Sequence, residues 1–214
     1  MISVKRMQTI VVLTFSILLT AVVGVAIELQ TTTVTGKVTL KQADGTEMPA
    51  PAPGGIDSAD HTVTVNGTNA ISGATVFSDS TVTTAKGSSA VVSLGKLGRV
   101  EIMPDTTVKL TFTDSSMTVA MLDAGRVRIS SSSGVNASAT TTDGVVIGKG
   151  IRQNDFIIDT SCGHTFVSVL KGAVELRAGT AVKQIAAGNQ DTAGTSRPGC
   201  TPSARPHGKA GDSQ

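Results

Sequence analysis

Three observations predict an all-β fold. A five-residue unit, Gly-x-Val-x-(Ile or Leu), recurs at Gly36, Gly98, Gly125 and Gly172. Apolar and polar residues alternate over short runs bounded by Gly, Asp, Asn, Ser and Pro, the pattern of strands with one buried face. No window after residue 30 carries the i, i+3, i+4, i+7 stripe of an amphipathic helix, and Thr, Val and Ser stand where a helix would have Leu, Ala, Glu and Lys. The expectation is about ten short, antiparallel-type strands in a sandwich or β-helix-like stack, preceded by one N-terminal transmembrane helix. The four units begin at unequal intervals, which excludes a strict fixed-period solenoid.

Taken in order, residues 1–8 form a short basic N-terminus with Lys5 and Arg6. Residues 9–27 carry no charge and would span about 28 Å as a helix, enough for the hydrocarbon core of a bilayer. With Lys5 and Arg6 before the segment and Glu28 after it, the positive-inside rule places residues 1–8 in the cytoplasm and exports the remainder. The segment reads as a retained anchor or, given the small residues Gly24-Val25-Ala26, as a cleaved secretory signal. Residues 28–69 hold leading strands, around Val34 to Leu40 and His61 to Val65, and a linker rich in Pro and Gly over 48–55. Asn66-Gly67 is a tight-turn dipeptide. Residues 70–190 alternate almost without a break, and residues 191–214 are polar and aperiodic, as expected of a disordered tail.

The sequence has no Trp, no Tyr and five Phe, so its core must be built from Val, Ile, Leu, Met and Ala. That scarcity also argues against a carbohydrate-binding module, whose platforms usually need aromatic rings. A net charge of +2, with basic residues spread among acidic ones, gives no stripe for nucleic acid.

The order of elements resembles the FecR family. The stretches that carry the likeness are Gly73-Ala-Thr-Val76 with Thr83-Thr84, Gly87-Ser-Ser-Ala-Val-Val-Ser-Leu94, and Gly98-Arg-Val-Glu-Ile102 through Leu110. They continue with Met121-Leu-Asp-Ala-Gly-Arg-Val-Arg-Ile129, Val167-Ser-Val-Leu-Lys-Gly-Ala-Val-Glu-Leu176 and Ala187-Gly-Asn-Gln190. The series covers about residues 70 to 190. The resemblance implies an extracytoplasmic all-β domain, which in founding members relays a transporter signal to a sigma factor. The chain departs from the family's pattern by having only residues 1–8 ahead of the apolar segment, which points to a stand-alone FecR domain lacking the cytoplasmic anti-sigma domain. The C-terminal module of the regulators is also missing from the pattern. A local departure lies at Val146-Ile-Gly-Lys-Gly-Ile-Arg-Gln-Asn-Asp-Phe-Ile-Ile158, which has Lys149 and extra residues.

Residues that could carry chemistry are few. His61, His164 and His207 are dispersed, and only His61 has acids nearby, Asp57 and Asp60. There is no Gly-x-Ser-x-Gly elbow, and Gly148-Lys149-Gly150 reads as a turn rather than a phosphate loop. The expectation is therefore a protein that is not an enzyme and needs no cofactor or metal. Arg99, Arg126 and Arg128 alternate with core positions and should share a polar strand face. They read either as partners of acids such as Glu101 or Glu175, or as a binding face for an envelope protein or polymer. Cys162 and Cys200 suit an exported chain, where a bridge between them would tie the tail to the domain. The functional expectation is a membrane-anchored, extracytoplasmic binding, sensory or scaffold module of the cell envelope. The alternative is a structural or adhesive surface protein that acts by self-association.

Overall fold

Why this chain forms sheets is visible in its burial pattern: strand after strand alternates buried and accessible residues, so each offers one apolar face to a common core. The computed structural model describes residues 34–42, 47, 62–195 and 198–199. The apolar segment 9–27, the Pro/Gly linker at 48–55, His61 with Asp57 and Asp60, His207, Cys200 and most of the 191–214 tail lie outside the described residues. No helix among the described residues is long and apolar enough to cross a membrane.

Among the described residues there are seventeen strands. They are β1 (Gly36–Gln42), β2 (Val63–Val65), β3 (Thr68–Asn69), β4 (Thr75–Val76), β5 (Ser80–Thr84) and β6 (Ser88–Ser93). Next come β7 (Gly98–Ile102), β8 (Thr106–Phe112), β9 (Ser116–Met121), β10 (Arg126–Ser131), β11 (Asn136–Thr140) and β12 (Val145–Gly148). The last five are β13 (Asn154–Asp159), β14 (Thr165–Lys171), β15 (Ala173–Ala178), β16 (Ala181–Ala186) and β17 (Gln190–Ala193). One sheet of eight runs β17-β14-β13-β10-β7-β6-β1-β4, and one of nine runs β16-β15-β12-β11-β9-β8-β5-β2-β3.

Apart from the short strands β3 and β4 at one end, both orders follow the sequence, because the chain lays down one or two strands in one sheet and then crosses to the other. The pairings are antiparallel except β9 with β11. There β10 is spent in the opposite sheet, so the chain returns in its original direction and pairs in parallel. The strand number exceeds the expected ten because β3 and β4 are two residues long, because β5 buries a single apolar residue, Val82, between Ser80 and Thr84, and because β11 buries only Ala137 and Ala139. The sheets also reach beyond the expected span of 70–190: β1 pairs with β6 along six residues, and β17 extends to Ala193.

Register turns the alternation into rows. On the inner face of the eight-stranded sheet, Val38, Val92, Val100, Ile129, Phe156 and Val169 lie side by side, as do Leu40, Ala90, Ile102, Val127, Ile158 and Val167. The Val and Ile or Leu of three repeated units thus occupy adjacent places in the same two rows. Their glycines answer a need for close approach more than a need for a turn. A β-carbon at Gly98 would fall on the Ser130 carbonyl oxygen, and one at Gly125 would lie 2.5 Å from Thr106 Oγ1. Across the core, fully buried Phe156 stands over Gly148, whose missing side chain leaves room for the ring. The extra residues noted before Phe156 fall in the β12–β13 loop, where Gly134 donates its N–H to the Gly150 carbonyl at 2.6 Å.

Candidate functional site

The three arginines expected to share a face do so. Arg99 on β7 and Arg126 and Arg128 on β10 point away from the core of the eight-stranded sheet, and the register sets Arg128 beside Glu101 and Arg126 beside Asp159. Each arginine is committed to a carboxylate. Arg126 donates from Nε and Nη2 to Asp159 Oδ2 at 2.9 and 2.5 Å. Arg128 grips Asp155 with two bonds, 2.9 and 2.7 Å, and reaches Glu101 at 3.9 Å. Arg99 donates to Glu101 at 3.0 Å. The hydrogen bonds to Asp155 hold the Arg128 pKa above its ordinary value, against the effect of partial burial. The result is a paired ladder across β7, β10 and β13 rather than an open cationic stripe.

Glu175, considered as an arginine partner on this face, lies in the other sheet. It is buried on β15, where it accepts hydrogen bonds from Arg177 Nε and from Gln184 Nε2 at 2.7 Å, and Lys149 stands 3.4 Å away. The Arg177 bond, followed by that of Gln184, holds its carboxyl below the usual range.

At one end of the arginine ladder three loops enclose a recess of about 380 Å³, lined by Met103, Pro104, Asp105, Ala124, Gly125, Arg126, Asp159 and Ser161. Buried threonines build it. Thr84 Oγ1 donates to the Met103 carbonyl at 2.6 Å and accepts the Thr106 N–H at 3.2 Å. Thr106 Oγ1 accepts the Arg126 N–H at 3.0 Å and donates to the Pro104 carbonyl at 3.1 Å. Thr160 Oγ1 accepts the Gly125 N–H at 3.1 Å. Each hydroxyl bridges a strand end to a neighbouring loop, so the walls are fixed by groups that water cannot easily replace.

The wall of the recess is a saturated carboxylate. Asp159, 3% exposed, accepts two bonds from Arg126 on Oδ2 and two on Oδ1, from the Ser161 N–H at 2.9 Å and its hydroxyl at 2.5 Å. The Ser161 proton therefore points at an acid whose charge is already neutralised by a guanidinium, an arrangement that orders the loop. Asp105 at the rim is exposed and adopts a left-handed backbone (φ 56°).

Cys162 and His164 lie just beyond Ser161. Both are buried, Cys162 is disulfide-bonded, and His164 Nδ1 is 3.4 Å from the Cys162 carbonyl oxygen. The Gly148-Lys149-Gly150 stretch leaves β12 as a turn, and Lys149 faces Glu175.

The sequence reading missed Asp155, Asp159, Asp105 and Ser161. The signal for the first two was present: acids four apart on one strand share a face, as do arginines two apart on its neighbour. Ile157, buried between them on that face, breaks the alternation and hid it. The buried threonines gave no signal, because Thr at a strand end reads as polar surface.

No protein-family model matches this chain, and no curated protein matches it.

Proposed function

We propose that this chain is a non-enzymatic, membrane-anchored extracytoplasmic module of the FecR-like kind, held by residues 9–27 and acting as a binding, sensory or scaffold unit of the cell envelope. The observation that carries the binding role is the preformed recess beside Arg126. Its walls are fixed by internal hydrogen bonds, and its rim offers an exposed carboxylate at Asp105 next to apolar Met103 and Pro104. A rigid recess with a mixed rim suits docking of a partner's side chain, since little ordering entropy is lost on binding. The ordered motif series and the uncharged run over 9–27 support the location and the family resemblance. The partner is taken to be an envelope protein, because the paired arginines leave little free positive charge to hold an anionic polymer.

The test is photo-crosslinking in intact cells. A photoreactive residue at Ala124, on the rim, is expected to give one discrete heterologous adduct, and the same residue at Thr111, on the other sheet, is expected to give none. Equal labelling from both positions, or no adduct from Ala124, would reject the recess as a docking point. Self-association as a structural protein is the second reading, and a separate feature of the fold favours it.

A further inference from the structure

The four sheet edges are not treated alike. β3 and β4, which end the two sheets on one side, are two residues each, too short to template another strand. β17 is four residues, and its outward groups at Thr192 are occupied: the N–H bonds Asp191 Oδ1 at 2.7 Å, and the carbonyl accepts Lys183 Nζ at 3.3 Å. β16 differs from all three. It is six residues, Ala-Val-Lys-Gln-Ile-Ala, without proline or bulge, and all but Ile185 are exposed.

Hydrogen-bond parity shows what β16 presents. A two-residue turn, Gly179-Thr180, joins it to β15, so the closing pair Ala178 and Ala181 is the hydrogen-bonded kind, and the kind alternates from there. Lys183 and Ile185 therefore bond to β15, while Val182, Gln184 and Ala186 aim their N–H and C=O outward. The bond from Ala187 N–H to the Gly172 carbonyl, 3.0 Å, continues the same parity one step beyond the strand. The Ala186 carbonyl accepts the Asn189 N–H at 3.0 Å; the Ala186 N–H and the backbone groups of Val182 and Gln184 have no partner among the described residues.

We propose that β16 is a self-association edge, at which a second copy of this chain adds its own β16 antiparallel to form one continuous sheet across two sandwiches. Self-complementarity is the reason for choosing a second copy over a foreign strand. Pairing centred on Gln184 sets Gln184 opposite its symmetry mate, Val182 opposite Ala186 and Lys183 opposite Ile185. The outward-facing residues then meet in pairs that form about four bonds, two between the Gln184 mates and two from Ala186 N–H to the Val182 carbonyl, the Ala186 carbonyl being engaged by Asn189. Val182, 59% exposed, gains an apolar neighbour. Sliding by one pair to centre on Lys183 sets like charges opposite each other and loses a pair, so the favoured register is unique. Lys183 does not oppose the union, because its charge is already neutralised by Asp191 at 2.7 Å. This proposal is independent of the recess, which is lined by the β7–β8, β9–β10 and β13–β14 loops and by no residue of β15 or β16.

The test uses the full chain in detergent micelles with a short thiol crosslinker, reading the covalent dimer on a gel. Gln184→Cys is expected to crosslink strongly, since hydrogen-bonded partners lie about 5.5 Å apart between α-carbons. Thr75→Cys, exposed on β4, serves as the control and should crosslink at least tenfold less. Adding Ala186→Pro, which removes the outward N–H that meets the Val182 carbonyl of the second copy but no bond to β15, should cut the Gln184→Cys dimer at least tenfold. Val182→Lys should do the same if the proline variant fails to keep its strand signal in circular dichroism. Dimer from Gln184→Cys no greater than from Thr75→Cys would overturn the proposal. So would dimer that survives in the folded Ala186→Pro and Val182→Lys variants, or a heterologous adduct of the Gln184→Cys variant in intact envelopes without any homodimer.

Discussion

Removing the Asp159 carboxylate tests whether the arginine ladder holds the sheet together or merely decorates it. In Asp159→Ala the guanidinium of Arg126 loses both its bonds to Oδ2, and Ser161 loses the acceptor that orders its N–H and hydroxyl. Breaking a fully buried pair by deleting one partner costs about 3–5 kcal/mol. The side chain of Arg126 is 26% exposed and can turn toward water, and Ser161 is exposed, so the expected cost is nearer ~2 kcal/mol. Arg126→Met reverses the situation, leaving a carboxylate only 3% exposed with Ser161 as its sole remaining partner named above, and should cost about 1 kcal/mol more. Pulse proteolysis of the full chain in urea reads this without requiring the apolar segment to be removed. At an m-value of about 2 kcal/mol per M, the midpoint should fall by about 1 M for Asp159→Ala and further for Arg126→Met. The double variant should cost less than the two singles together, because no charge is then stranded. A midpoint shift under about 0.2 M for Asp159→Ala, or strict additivity in the cycle, would refute the claim that this pair is structural. The exposed pair Lys96–Asp114, 4.0 Å apart with both side chains 72% exposed, is the internal reference and should shift almost nothing.

Two further outcomes follow from the same structure. Gly98→Ala should destabilise by about 3 kcal/mol, since the residue combines φ of 126° with a β-carbon falling on the Ser130 carbonyl, whereas Gly67→Ala should cost only about 1 kcal/mol. Gly67, at φ 77° with open space around it, lacks both the contact and the glycine-only backbone of Gly98 (φ 126°, ψ −143°), and the difference in urea midpoint reads the two together. Acid should weaken the β16 end first. The carboxyls of Glu175 and Asp191 are held below their ordinary values, Glu175 chiefly by Arg177 and Asp191 chiefly by Lys183. Groups depressed in the folded state contribute stability above their unfolded pKa, about 4, and lose it as pH falls through the folded value. Asp191→Asn should therefore flatten the decline of stability below about pH 4, and an unchanged slope would show that Lys183 is not its effective partner.

The strands legible in the sequence were those whose inward residues are large and apolar. Val100 and Ile102 of β7, Val108, Leu110 and Phe112 of β8, and Val127 and Ile129 of β10 all face the core where the alternation put them. β5 and β11 escaped notice because β5 sets one apolar residue, Val82, between Ser80 and Thr84 on its inward face and β11 only Ala137 and Ala139, too little contrast for an alternation by hydropathy. The parallel pairing of β9 with β11 could not be read at all, since it depends on which sheet β10 joins and not on any residue in β9 or β11. For the site, the shared face of Arg99, Arg126 and Arg128 followed from strand period. The acids that neutralise them come from β7 and from β13, and the β13 partnership joins segments far apart in the chain, which only register establishes.

Where this fold can still bind follows from where its polar groups are already used. The outer face of the eight-stranded sheet commits its arginines to carboxylates, Arg99 to Glu101 on its own strand and Arg126 and Arg128 to Asp159 and Asp155 on the next. The outer face of the nine-stranded sheet carries hydroxyls set side by side by the register, Thr111, Thr118 and Ser138, of which Thr118 and Ser138 bond one another at 2.9 Å. A ligand on either face would have to break a bond for each one it makes, and the net gain per hydrogen bond is already only about 1 kcal/mol. The two proposed docking points lie elsewhere, at the outward backbone of β16 and at the rim of the recess by Asp105. Substitutions on the two faces should thus act on stability with little effect on association, and those at Val182 or Ala124 should do the opposite.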